Sequence, residues 1–305
     1  MSGERLRIAV TGATGFLGRH AVGELIRRGV EPVILVRPTW TATDEFRNIP
    51  AARFDVAAPP DDAFEQLGRP DTLLHLAWGG LPNYKSPHHF ETELPTQYRF
   101  LKNLVQAGLS HLVISGTCFE YGMQSGCLAE TAEAVPANPY GFAKNALHRQ
   151  LEFLAETTGC KLTWTRLFYL YGKGQHPTSL FMQLSSAAAR GDKRFDMSWG
   201  EQLRDYLPVE EAARCLTELA LGGARAGTVN ICSGRAISIR RLVEQWVEEN
   251  GWQIHLNPGA CAYPDYEPMA FWGDRTKLDE ALQQNKGAGD LPNQIRTGPL
   301  RAEER

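Results

Sequence analysis

The sequence lacks any apolar run long enough to cross a membrane, since no hydrophobic stretch approaches the ~18 residues that a spanning helix needs. It also shows no export signal, because residues 1–5 lead directly into a short apolar segment. We therefore expect a soluble protein of the cytoplasm. Basic runs are absent and the formal net charge is −3, so neither nucleic acid nor a membrane surface is an expected partner.

Cysteine is sparse, and its spacing indicates no metal site. The six cysteines lie far apart and form no Cys-x-x-Cys motif, so neither a zinc site nor a disulfide framework is predicted. A reducing compartment and no bound metal fit this pattern. The length of 305 residues suits one large α/β domain or two modest ones, with ample chain for a core.

The N-terminal segment has the pattern of a dinucleotide-binding turn. A predicted buried strand over 6–11 runs directly into GATGFLG (12–18), which opens an amphipathic helix ending near Gly29. Glycines at such a turn let backbone amides approach a pyrophosphate, and the helix N-terminus favours its negative charge. The inner face of the helix is predicted to carry Leu17, Ala21, Leu25 and Ile26. The expected cofactor-binding residues are Gly12, Thr14, Gly15, Phe16, Leu17 and Gly18.

Arg37 follows the second predicted strand (33–36) and indicates which dinucleotide binds. A carboxylate at this place would accept hydrogen bonds from the ribose 2′-hydroxyl of NAD, whereas a guanidinium can pair with the 2′-phosphate of NADP. NADP(H) is therefore favoured over NAD(H). The alternative is that Arg37 stacks on adenine or faces solvent.

The ends of the next two predicted strands supply further cofactor residues. Asp55 follows a short strand and either accepts a hydrogen bond from the adenine amine or caps a turn. The strand over 72–76 ends before Ala77, whose small side chain lets the chain pass close to a cofactor. Ligands of a doubly wound sheet lie beyond the carboxyl ends of its strands. We therefore place Asp55, Val56, Leu76 and Ala77 at the cofactor.

The segment over 138–144 carries the predicted catalytic chemistry. Pro139 marks the start of a helix, so Tyr140 and Lys144, four residues apart, fall on one helix face. A neighbouring cation lowers the pKa of a phenol from its usual value near ~10, so Tyr140 could exchange a proton with a substrate hydroxyl or carbonyl. Thr117 ends the fifth predicted strand, within expected reach of Tyr140. The alternative is an exposed tyrosine and lysine that merely share a helix face.

The second half of the sequence continues the alternation of strands and helices. We predict strands over 161–166 and 228–231, and helices over 180–190, 209–221 and 238–250, the last capped by Ser238. The expected fold is α/β, a doubly wound parallel sheet of the Rossmann type with a smaller C-terminal lobe. The dinucleotide-binding domain would cover 1–168, the mostly substrate-binding lobe 169–285 and a flexible tail 286–305.

Six segments occur in an order and spacing that characterise one family. They are GATGFLG (12–18), HLAW (75–78), SGTCFEYG (115–122), NPYGFAK (138–144), RLFYLYG (166–172) and RDYLPV (204–209). Together they resemble the extended short-chain dehydrogenase/reductase family, in particular its nucleotide-sugar epimerases, dehydratases and reductases. The resemblance implies a Rossmann domain with a nucleotide-sugar lobe, and a homodimer formed through helices that include the Tyr140 helix.

The same resemblance implies roles for individual residues. Thr117 would hold the substrate oxygen, Tyr140 would be the general acid/base, and Lys144 would bind the nicotinamide ribose while lowering the pKa of the tyrosine. Arg204 would bind the substrate pyrophosphate, and Ser179 would contact the substrate.

Departures from the family pattern narrow the reaction. Sugar 4,6-dehydratases carry an acid and a base directly after the threonine, where this sequence has Cys118 and Phe119. A phenyl ring transfers no proton, so dehydration is not expected. Glu93 and Tyr169 stand where the family usually has asparagines, and the second pyrophosphate arginine is missing from the segment over 265–268.

The function that we expect is NADPH-dependent reduction of the 4-keto group of a nucleotide-linked 4-keto-6-deoxyhexose, carried on dTDP, CDP or GDP. Such a step makes a deoxysugar for a surface polysaccharide. The first alternative is a C4 epimerase that never releases its cofactor, although these usually favour NAD. The second is a non-catalytic NADP-binding regulatory protein. A reductase that also epimerises would need another acid/base pair, for which Cys118 and His176 are the candidates.

Overall fold

A computed structural model describes residues 6–223, 226–263 and 267–289 of the protein. Its centre is a seven-stranded sheet in the order β12-β7-β5-β4-β1-β2-β3, with every neighbouring pair parallel. The strands are β1 (Ile8–Thr11), β2 (Val33–Val36), β3 (Ala51–Arg53), β4 (Thr72–His75), β5 (His111–Thr117), β7 (Lys161–Leu167) and β12 (Gly227–Ile231). Strand order reverses between β1 and β4, and this is the point where doubly wound sheets bind ligands. The predicted Rossmann sheet is confirmed.

Both faces of the sheet are covered by helices, which explains the continuous apolar strands. Within β1, Val10 belongs to one core and Ala9 to the other, because successive side chains of a strand point to opposite faces. One core contains residues of α1 (Phe16–Arg27), α6 (Val209–Gly222) and α8 (Thr276–Gly289). The other involves α2 (Ala63–Gln66), α3 (Leu94–Gln106) and α4 (Pro139–Thr158).

Helix α1 packs on the sheet through a slightly different face from the predicted one. Its buried residues are Gly18, Ala21, Val22 and Leu25. Ile26, predicted to face inward, is 47% exposed. The prediction for Ile26 was wrong because the buried residues follow the i, i+3, i+4, i+7 pattern of a single stripe, and Ile26 falls beside it near the end of the helix.

The C-terminal lobe has its own small core, which contains Leu184, Phe195 and Trp246. It is built from α5 (Leu180–Arg190), α7 (Ile239–Glu249), β9 (Arg194–Met197) and β14 (His255–Pro258). The predicted cap of α7 is confirmed, since Ser238 Oγ accepts a hydrogen bond from the Arg241 backbone N–H at 3.2 Å. Three further strand pairs form separate two-stranded sheets: β8 (Tyr169–Tyr171) with β11 (Tyr206–Pro208), β10 (Leu203–Arg204) with β13 (Ile237–Ser238), and β6 (Gly126–Leu128) with β15 (Phe271–Gly273).

The two parts of the molecule are not two consecutive segments of the chain. Strand β7 ends at Leu167, close to the predicted boundary at 168, but β12 returns to the central sheet and α6 and α8 pack on it. Helix α8 extends to Gly289, so it includes the first residues of the predicted tail. The remainder of that tail, 290–305, lies outside the described residues. None of the described helices is both long and apolar enough to cross a membrane.

Candidate active site

The glycine-rich turn after β1 packs against the end of β4. Gly12 has φ +66°, and a Cβ there would lie 2.7 Å from the carbonyl carbon of Leu76 and 2.8 Å from the backbone nitrogen of Ala77. A Cβ on Gly18 would overlap the Gly12 carbonyl. Only glycine fits these two positions, and the resulting tight turn brings the N-terminus of α1 to the carboxyl edge of the sheet.

A cleft of about 460 Å³ lies over this turn. The predicted cofactor residues that line it are Gly12, Thr14, Gly15, Arg37, Asp55, Val56, Leu76 and Ala77. Phe16, Leu17 and Gly18 do not line the cleft but form the first turn of α1 beside it. A dinucleotide fits here, because the turn leaves space for close approach of a pyrophosphate and the start of α1 favours its charge.

Arg37 and Asp55 stand at the adenosine end expected for a bound dinucleotide. Arg37 is exposed, and its guanidinium makes no hydrogen bond to the part of the chain that the structure describes. Asp55 Oδ1 accepts a hydrogen bond from the Ala57 backbone N–H at 2.8 Å, so this carboxylate caps a turn while it lines the cleft. The turn-capping alternative for Asp55 is therefore observed, and its second oxygen can still accept a hydrogen bond.

Sequence reasoning did not place Glu93 or Gln97 in this cleft. Gln97 Nε2 donates to Glu93 Oε2 at 2.9 Å, and Glu93 Oε1 lies 3.2 Å from His88 Nε2. Both residues line the cleft where a π-helix (His89–Glu93) passes into α3. The available signal was Glu93 itself, an acidic residue where the resemblance leads one to expect an asparagine.

The start of α4 is held close to the end of β5. Asn138 Oδ1 accepts a hydrogen bond from the Gly141 backbone N–H at 2.8 Å, and Pro139 occupies the first turn, as capping rules require. A Cβ on Gly141 would lie 2.5 Å from the Phe119 carbonyl oxygen, so glycine permits this contact. The packing brings the Tyr140 phenol close enough to Thr117 for the threonine side chain to influence its pKa.

Tyr140 is buried among aromatic rings, contrary to the alternative of an exposed tyrosine. The ring centroids of Trp78 and His89 lie 6.0 and 5.2 Å from that of Tyr140, and those of Tyr84 and Phe119 lie 5.6 and 6.3 Å away. Burial is the main cause that raises the pKa of the phenol far above its usual value, and the nearby Thr117 side chain only partly opposes it. The phenol is therefore protonated at neutral pH, and the expected lowering of its pKa was wrong.

Lys144 shares the helix face with Tyr140, but its amine contacts other groups. Its Nζ donates to the Ser115 carbonyl oxygen at 2.8 Å and lies 4.0 Å from the centroid of the Trp78 ring, compared with 6.0 Å from the Tyr140 ring. Burial lowers the pKa of Lys144 to about 7, while Glu120 and Glu93 oppose this shift. The ammonium is thus only weakly held in its charged form.

A buried carboxylate fixes the backbone at Thr117. Glu120, fully buried, accepts a hydrogen bond from the Thr117 backbone N–H at 2.9 Å and forms an ion pair with Arg166 at 2.9 Å. The Trp164 indole N–H also donates to this carboxylate, at 3.0 Å. Glu120 and Arg166 both lie in the recognised motifs, but their pairing across 46 residues was not predicted.

A second cavity of about 400 Å³ is lined mainly by residues of the C-terminal part of the chain, together with Tyr84. Ser179 and Arg204, the predicted substrate residues, both line it, and Thr117 does not. Tyr84 lines this cavity and packs on Tyr140, whereas Trp78 lines the cleft over the glycine-rich turn and packs on the same ring. Tyr140 therefore stands between the two cavities.

The proposed second acid/base pair is not formed. Cys118 is buried, and burial raises the pKa of its thiol strongly. His176 is exposed, and its Nδ1 lies 2.7 Å from Thr178 Oγ1. A reductase that epimerises through Cys118 and His176 is not supported by this arrangement.

Comparison with known proteins agrees with this architecture. The chain is 27% identical over 270 residues to a dTDP-6-deoxy-L-talose 4-dehydrogenase (NAD(+)) of Aggregatibacter actinomycetemcomitans, which covers 88% of this chain and 99% of the relative. It is 28% identical to a dTDP-6-deoxy-L-talose 4-dehydrogenase (NAD(P)(+)) of Kitasatospora kifunensis, over 80% of this chain and 79% of the relative. The fold resembles that of UDP-glucose 4-epimerase from Thermotoga maritima, with a TM-score of 0.77, 24% identity and coverage of 90% and 92%. Residues 8–232 match the NAD dependent epimerase/dehydratase family, and the chain belongs to that family of NAD(P)-dependent nucleotide-sugar enzymes.

Proposed function

We propose that the protein uses NADPH to reduce the 4-keto group of a nucleotide-linked 4-keto-6-deoxyhexose. The observation that carries this proposal is the position of Tyr140, a protonated phenol between the cleft over the glycine-rich turn and the second cavity. A ketone held there would have a hydride donor on one side and a proton donor on the other.

The chain's own residues supply the acid chemistry of this reaction. Thr117 and Tyr140 would hold the ketone oxygen through their hydroxyls, and Tyr140 would donate its proton as negative charge develops on that oxygen. The turn at 12–18 and Arg37 would hold NADPH, which supplies the hydride when bound. Lys144, anchored on the Ser115 carbonyl, would bind the ribose hydroxyls of the cofactor.

Two observations favour 4-keto reduction over related reactions. Two of the proteins named above are 6-deoxy-talose 4-dehydrogenases, and oxidation of a 4-hydroxyl is the reverse of the same chemical step. Phe119 offers no proton-transfer group beside Thr117, and the Cys118 thiol is buried and neutral, so removal of water from the sugar is not supported.

NADPH is proposed as the cofactor because Arg37 lies at the end of β2 with no partner among the described residues. A guanidinium at this position can pair with a 2′-phosphate, whereas NAD would offer it only hydroxyls. The relatives named above include one that uses NAD and one that uses either dinucleotide.

We also propose that the protein acts as a homodimer in the cytoplasm. On the outer face of α4, Phe142 and Phe153 are 51% and 62% exposed, and Phe90 packs edge to face on Phe142 with centroids 6.1 Å apart. A second copy packing α3 and α4 against the same helices would cover these rings.

The proposed cytoplasmic location rests on the cysteines. All six are free thiols, which suits a reducing compartment.

The experiment for the proposed function is incubation with NADPH and a panel of dTDP-, CDP- and GDP-linked 4-keto-6-deoxyhexoses, followed by NMR of the sugar. We expect one equivalent of NADPH to be consumed for each sugar alcohol formed. A C4 epimer formed without net NADPH consumption would instead identify an epimerase. Absence of turnover with every sugar, combined with tight NADPH binding, would identify a regulatory NADP-binding protein.

A further inference from the structure

The guanidinium of Arg204 is already bound by a carboxylate within the second cavity. Arg204 Nε and Nη2 donate to the same oxygen, Glu267 Oε2, at 3.1 and 2.8 Å. The side chains of Arg204 and Glu267 are only 3% and 9% exposed, and both residues line the cavity. An ion pair so little exposed to solvent is weakly screened, so its geometry is strongly held.

The remaining contacts of Arg204 fix its position. Its Nη1 donates to the carbonyl oxygens of Leu203 and Met269, at 2.9 and 3.3 Å, and its guanidinium carbon lies 4.8 Å from the centroid of the Phe271 ring. The backbone carbonyls therefore bind the guanidinium at Nη1, and the aromatic ring packs on one of its faces. The edge formed by Nε and Nη2 is the one that faces Glu267, and it is the edge with which arginine binds carboxylates and phosphates.

Arg204 is the cation that this cavity offers to an anionic ligand. Among the described residues that line it, Arg204 is the only basic one, whereas Asp196 and Glu267 are both acidic. Glu267 also lies close enough to Tyr169 to contribute to the raised pKa of that phenol. A diphosphate entering this cavity would thus meet one cation that is already neutralised.

We propose that Glu267 is an internal competitor for Arg204, so that the diphosphate of the substrate binds Arg204 only by displacing this carboxylate. The inference rests on the proposed function and specifies how its substrate is held. In this exchange the Arg204–carboxylate pair is replaced by an Arg204–phosphate pair, which also has charged hydrogen bonds. The released Glu267 carboxylate becomes hydrated again. The competition lowers the affinity of the cavity for nucleoside diphosphates.

The test removes the charge of Glu267 and keeps its shape. Glu267→Gln retains an oxygen that can accept from Arg204, so the packing is conserved while the competing anion is lost. We expect dTDP, UDP or GDP, titrated calorimetrically into the NADPH-saturated protein, to bind on the order of tenfold more tightly to this variant, as expected for a lost charged hydrogen bond. Asp196→Asn is the matched control, because it removes a carboxylate from the same cavity but not the partner of Arg204. The affinity of this variant for the same nucleoside diphosphate should change much less.

Affinity that is unchanged or weaker in Glu267→Gln would overturn the proposal, and so would an equal gain in Asp196→Asn. Should Glu267→Gln fail to fold, a crystal structure of the wild-type protein with dTDP decides: a phosphate oxygen must replace Glu267 Oε2 at Arg204. A retained Arg204–Glu267 pair with the diphosphate bound elsewhere would sink the idea. These binding measurements need no turnover, so they are independent of the reduction assay that tests the proposed function.

Discussion

Replacement of Lys144 by methionine should change how the stability of the protein depends on pH. Lys144 is 1% exposed, and burial lowers its pKa from 10.5 to about 7. In the unfolded chain the amine recovers its ordinary pKa. Between these two values the unfolded state binds more protons than the folded state, so this group makes the free energy of unfolding rise with pH.

The size of the effect follows from the two pKa values. Each unit of difference corresponds to about 1.4 kcal/mol. Between about pH 7 and about pH 8.5 Lys144 loses most of its remaining proton in the folded state and keeps it in the unfolded state, so the free energy of unfolding should rise by about 1–2 kcal/mol. Buried thiols, whose pKa values burial raises, act in the opposite direction, but they are present in wild type and variant alike.

The assay is urea denaturation of the free protein at those two pH values. The free energy of unfolding of the wild type should rise by about 1–2 kcal/mol more than that of Lys144→Met between the two pH values. Lys193→Met, at an exposed lysine, is the control and should follow the wild type. Parallel pH dependence of Lys144→Met and wild type would show that the amine is hydrated in solution, and the reasoning from its burial would be refuted.

Two further predictions concern the cofactor and the assembly. Arg37→Ala should weaken NADPH binding by about ten- to a hundredfold and leave NADH nearly unchanged, since charged hydrogen bonds to a 2′-phosphate are worth roughly 1.5–3 kcal/mol; equal losses in titrations with both cofactors would assign Arg37 to adenine or to the fold. Phe153→Glu should convert a dimer to a monomer in sedimentation velocity, whereas Met123→Glu, at another exposed apolar residue, should not. A monomeric wild type would contradict the proposed dimer.

Local patterns in the sequence predict the sheet well, and most of the residues expected at the cofactor line one cleft. The strands are apolar on both faces, so their positions are visible as short continuous runs, and α5 begins and ends at the predicted residues. The cleft is also local in origin, because its residues follow strands whose carboxyl ends must meet at one edge of a parallel sheet. This is why Thr14, Arg37 and Asp55 could be placed together before any contact was known.

The electrostatics of the site could not be predicted in the same way. The i, i+4 spacing indicates that Tyr140 and Lys144 share a face of α4, but not what covers that face. Rings from other segments, those of Trp78, Tyr84 and His89, pack there and exclude water. The pKa of Tyr140 is therefore raised and that of Lys144 lowered, and both shifts favour the neutral form.

The ion pair of Arg204 in the second cavity could not be predicted from the local sequence either. Its motif predicts contact with a pyrophosphate, yet its partner in the folded chain is Glu267, 63 residues further along. Nothing in the local sequence around Arg204 indicates this pairing, which depends on the contact between β10 and the segment that precedes β15.

The most direct test of the account is the turnover number of Tyr140→Phe with NADPH and whichever 4-keto sugar the wild type reduces. The substitution keeps the ring and its packing but removes the proton that Tyr140 would donate. The turnover number should fall by about 10²–10⁴, with NADPH affinity and thermal stability retained. Tyr84→Phe removes the neighbouring phenol that lines the second cavity, and its turnover number should fall much less. Near-normal ketone reduction by Tyr140→Phe would contradict the assignment of Tyr140 as the proton donor.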